Sequence, residues 1–72
     1  MEQRWHYLVE EYQSMLYRIA FSNMKNRADA EDAVQEAFLR YMKDEKPIQN
    51  KEHEKAWHIR TTIHICLDIF KS

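Results

Sequence analysis

Residues 29–40 read Asp29-Ala30-Glu31-Asp32-Ala33-Val34-Gln35-Glu36-Ala37-Phe38-Leu39-Arg40. Ala30, Ala33, Val34, Ala37 and Phe38 recur at intervals of three and four, and Tyr41 continues the series. That period puts one apolar stripe on an α-helix and turns the charged residues away from it. Asp29 is a good N-cap, since its carboxylate can accept from the free amides of the next turn, and Glu31 and Asp32 suit the positive end of the helix dipole. Three alanines on the stripe let a neighbouring helix approach closely. The pattern predicts a helix that ends near Lys43.

The same period extends to both sides. Trp5, Leu8, Val9, Tyr12, Met15, Leu16, Ile19, Ala20 and Met24 form one face of a helix from about Glu2 to Lys25. The polar stretch Asn23 to Asp29 breaks the period. Downstream, Asp44 to Asn50 reads as a loop, because Pro47 disfavours helix at Lys46 and cannot continue one. Asn50 can cap a third helix from about Lys51 to Lys71. Its expected core stripe is Ala56, Ile59, Ile63, Cys66, Leu67 and Phe70. Ile65 and Ile69 add a second apolar set, so this helix is either sandwiched between the other two or covers something outside the chain. Trp57, Arg60, His64, Asp68 and Lys71 form a third stripe, polar apart from its tryptophan. The expected fold is all-α, a compact bundle of three main helices.

The 72 residues suffice for one domain, spanning 1–72. A domain so small buries only about 60–65% of the surface its unfolded chain exposes, so its stability should be modest. The chain has no glycine, which excludes phosphate-cradling loops and dinucleotide fingerprints. The single cysteine, Cys66, has no partner within the chain and fits a reducing cytoplasm. No apolar run approaches the ~20 residues that span a bilayer. Net charge is −1, but it is unevenly spread: residues 1–36 hold seven acids and four bases, residues 37–72 five acids and seven bases. A polyanion should therefore meet the second half, unless the asymmetry is only that of solvated helix faces.

Two stretches resemble a known family. Asp29 to Phe38 matches the D-A-E-D-x-x-Q-E-x-F pattern of bacterial sigma factors of the extracytoplasmic-function class. Ala56-Trp57, with Asp68 eleven residues after the tryptophan, is similar to their A-W-L-x-x-I-x-x-N-x-x-x-D pattern. The resemblance covers roughly Tyr12 to Ser72 and implies region 2, the non-catalytic promoter-melting domain, which needs no cofactor. It implies RNA polymerase core, minus-ten promoter DNA as a single strand, and an anti-sigma factor as partners. By that resemblance Asp32, Gln35, Glu36, Leu39 and Arg40 would dock on the clamp helices of the polymerase's largest subunit. The loop and third helix would take up the unpaired strand. Lys43, Lys46, Lys51, Lys55 and Arg60 supply charge along the backbone. Trp57 offers a ring for an unstacked base, and Gln49, Asn50 and His64 can read base edges. A second helical domain, which in the family reads the minus-thirty-five element, is not in this chain.

Two departures from the family pattern matter: His58 stands in place of leucine and His64 in place of asparagine. Asparagine offers a donor and an acceptor together, neutral imidazole one of each on a rigid ring, and imidazolium only donors, so if His64 reads a base its specificity would differ or depend on pH. Plainer readings stand beside these. Asp32, Gln35 and Glu36 also suit a solvated face. Trp57 flanks the Ala56–Ile59 stripe and reads equally as core, and the lysines suit an ordinary loop. His53, His58, His64 and Cys66 do not stack on one helical face as metal ligands would. The alternative function is a three-helix adaptor that binds a protein and no DNA. No serine–histidine–acid set with workable spacing points to an enzyme.

Overall fold

The computed structural model describes residues 2–43 and 50–71, with side chains described for 6–43, 50–69 and 71. Three helices follow one another: α1 (Glu2–Met24), α2 (Arg27–Lys43) and α3 (Lys51–Lys71). Each packs on both of the others. The described residues contain no strand.

The α1 and α2 stripes face the core as their periods require. Leu8, Tyr12, Leu16 and Ala20 come from α1, and Ala30, Ala33, Val34, Ala37, Phe38 and Tyr41 from α2. Ala20, Ala30, Ala33 and Ala37 are completely buried, and their small side chains permit the close approach of α2. The stripe positions Trp5 and Phe70 have side chains outside the described residues.

The joint between α1 and α2 differs from the sequence expectation. Asn26, not Asp29, is the N-cap: its side-chain oxygen accepts from the Asp29 amide at 3.1 Å, and its carbonyl from the Ala30 amide at 3.0 Å. Asp29 lies inside the first turn, where its charge still favours the dipole. Helix α1 stops one residue early because Lys25 takes a left-handed backbone, φ 58°, and its amide closes on the Phe21 carbonyl at 2.7 Å. A chain without glycine spends a lysine on this position.

The larger correction concerns α3. Its core-facing line is Glu54, His58, Thr62, Ile65 and Cys66, with Ile69 partly buried beside them. Ala56 and Leu67 of the expected stripe are exposed, Leu67 by 48%, and Ile59 and Ile63 are only half-buried. Cys66 is fully buried, as its apolar neighbours suggested. The helix is rotated because polar contacts from the other two helices hold Glu54 inward.

Candidate functional site

Glu54 is buried, yet both its oxygens are satisfied. Tyr12 of α1 donates its hydroxyl to one at 2.9 Å, and Tyr41 of α2 donates to the other at 2.7 Å. A buried carboxylate survives only when it is hydrogen-bonded in this way. One turn on, the His58 ring is fully buried between Tyr12, Phe38 and Tyr41, at centroid distances of 4.9, 5.5 and 4.7 Å. Neither of its nitrogens has a hydrogen-bond partner among the described residues, nor does the Thr62 hydroxyl one turn further. Burial lowers the His58 pKa to about 4 although Glu54 pulls it upward, so the ring is neutral at pH 7. Burial and the Glu54 carboxylate push the Tyr12 hydroxyl well above the ordinary range, and burial raises the Cys66 thiol.

Trp57 lies at the edge of this cluster. Its ring stands edge-on to His58 at 5.1 Å and tilted against Tyr41 at 5.2 Å, and the residue is half-buried. It is thus partly core and partly surface. Arg60 and His64 are exposed and follow it at intervals of three and four residues, on the same flank of α3. Lys55 is exposed but precedes Trp57 by two residues, about 200° around the helix, so it does not join that flank. Lys43 is exposed at the end of α2. Lys46 and Gln49 lie outside the described residues, as does the loop reading for 44–49. Asn50 caps α3, its side-chain oxygen accepting from the amides of Glu52 at 2.8 Å and His53 at 3.2 Å. Only its amide NH2 is left for another partner. Lys51 is drawn to α1, its ammonium 5.4 Å from the Tyr7 ring centroid.

Asp32, Gln35, Leu39 and Arg40 are exposed on α2, and Glu36 is half-buried. Glu36 and Arg40 form an ion pair of 3.1 Å. Gln35 and Leu39 open onto a groove of about 670 Å³ between α1 and α2, with Val9, Gln13, Tyr17 and Val34 among its walls.

Residues 8–72 match the model of the sigma-70 region 2 family. The chain belongs to that family. Among its relatives are two proteins of Bacillus subtilis (strain 168). One is the ECF RNA polymerase sigma factor SigX, 27% identical over 71 residues, 99% of this chain and 37% of that protein. The other is the RNA polymerase sigma factor SigV, 29% identical over 63 residues, 88% of this chain and 38% of that protein. The ECF RNA polymerase sigma factor SigE of Mycolicibacterium smegmatis is 33% identical over 67 residues, 93% of this chain and 26% of that protein. The chain therefore spans well under half the length of these relatives. No solved structure matches it. Within this family fold, Glu54, Tyr12 and Tyr41 are the residues that sequence reasoning passed over. Two tyrosines on apolar stripes were the available signal, since a buried phenol needs an acceptor.

His58 cannot meet DNA, because it is wholly enclosed. No three His, Cys, Asp or Glu side chains among the described residues come together as a metal-ligand set. No described helix is long and apolar enough to cross a membrane.

Proposed function

We propose that this chain is the region of a sigma factor that docks on core RNA polymerase and takes up the unpaired minus-ten strand, opening promoter DNA. One observation carries this reading beyond the family match. On one flank of α3, Trp57 is backed by Tyr41 and His58 while Arg60 and His64 stand exposed beyond it. A half-buried ring held by two neighbouring rings, with a cation one turn away, suits capture of an unstacked base and its phosphate. On α2, Asp32, Gln35, Glu36, Leu39 and Arg40 offer the clamp helices a mixed acidic and apolar surface beside the α1–α2 groove. With His58 fully enclosed, the imidazole that reads bases in this proposal is that of exposed His64.

The test is fluorescence anisotropy with a panel of short single strands at several salt concentrations. Log affinity should fall with log salt by ~0.7 per neutralised phosphate. Arg60→Ala should flatten that slope by less than about one unit and weaken all strands alike, whereas His64→Ala should alter preference among bases. A chain that binds isolated clamp helices but no strand under any salt condition would instead be the three-helix adaptor.

A further inference from the structure

The Glu54 clasp does more than join helices. As a stabilising device alone it has little to recommend it, since a buried ionic group is often matched or bettered by apolar packing. Its geometry, however, governs Trp57. Among the described residues, Tyr41 and His58 set their rings against Trp57. Tyr41 is anchored through its hydroxyl on Glu54, and His58 is walled in by Tyr12, Phe38 and Tyr41. Because Tyr12 and Tyr41 reach Glu54 from different helices, the clasp also sets the rotation of α3, and with it the flank bearing Trp57, Arg60 and His64.

We propose that Glu54 and Tyr41 are positioning residues for strand capture, holding the Trp57 ring ordered before a base arrives. This rests on the strand-binding reading above. A ring already immobilised loses little side-chain entropy on stacking, so more of the stacking energy is kept as affinity. Neither positioning residue touches the strand.

The full chain carrying Trp5→Phe makes Trp57 the only tryptophan. In that background Tyr41→Phe deletes one hydroxyl and keeps the ring, Glu54→Ala removes the acceptor, and Glu54→Gln keeps its shape and one carbonyl oxygen. All are compared at a temperature where circular dichroism shows each folded. The first readout, without DNA, is Trp57 anisotropy and acrylamide quenching. Both should report a looser ring in Tyr41→Phe. The second is affinity for short oligo(dT) and oligo(dA) strands, which should fall about five- to tenfold in Tyr41→Phe, within the reach of one stacking contact. Glu54→Gln should fall between the parent and Glu54→Ala, and Tyr41→Phe provides the test where Glu54→Ala does not fold. Unchanged Trp57 mobility in folded Tyr41→Phe overturns the inference, as does unchanged strand affinity. Failure of the parent chain to bind any strand overturns the underlying reading instead, and the DNA-free measurements on Trp57 distinguish the two failures.

Discussion

Acid should destabilise this domain through His58. Burial lowers the His58 pKa from 6.5 to about 4, so the folded state holds this proton less tightly than the unfolded chain. Above pH ~6.5 neither state carries it, and the stability linked to His58 is fully present. Between ~6.5 and ~4 the unfolded chain takes up the proton and the folded one does not, so stability falls as pH falls, and the loss levels off below ~4. A gap of about 2.5 units at ~1.4 kcal/mol each comes to about 3 kcal/mol. In a domain of this size each kcal/mol moves Tm by about 4–8 °C, so the midpoint should drop by roughly 12–24 °C on this account. The titratable groups facing the ring are Tyr12 from α1, Tyr41 from α2 and Glu54 from its own helix. His58→Leu removes the titrating group along with two buried nitrogens that lack partners among the described residues. It should therefore keep or raise stability at neutral pH and lose most of the acid slope. Thermal melts of both proteins by far-ultraviolet circular dichroism, from pH ~7.5 to ~4, give the difference curve, in which the shared His6, His53 and His64 cancel. Parallel curves would refute the reasoning, because the acid sensitivity would then lie elsewhere.

Three further outcomes are expected. Lys25→Gly should raise stability by about 1 kcal/mol in chemical denaturation, because glycine adopts the left-handed backbone at φ 58° without the steric cost a lysine bears. Asn50→Ala should cost about 1 kcal/mol in urea unfolding through loss of the α3 cap, and Asn50→Asp should recover it. Gln35→Ala with Glu36→Ala should weaken binding to an isolated clamp-helix fragment while leaving the melting curve nearly unchanged, since Gln35 is exposed and Glu36 half-buried; unchanged affinity would assign both to a solvated surface.

Much of this architecture was legible in the order of residues. The α2 stripe Ala30, Ala33, Val34, Ala37, Phe38, Tyr41 is buried at every position, because a helix with one apolar face has only one way to turn it inward. Asn50 announced the start of α3 by its chemistry. The two family motifs and the odd histidine at 58 could be read without coordinates. The first helix boundary was less legible: with no glycine in the chain, nothing marked Lys25 as the left-handed residue, and Asp29 outshone Asn26 as a cap. The orientation of α3 was decided only in the folded molecule. Its apolar residues lie on several faces, so its period does not single one out, and the expected line runs from exposed Ala56 and Leu67 through half-buried Ile59 and Ile63 to buried Cys66. The deciding contacts reach Glu54 from Tyr12, 42 positions away, and from Tyr41, 13 positions away. A carboxylate that binds two phenols from two helices has one place to sit. It carries His58 and Thr62 inward with it and leaves Trp57, Arg60 and His64 along the outer flank.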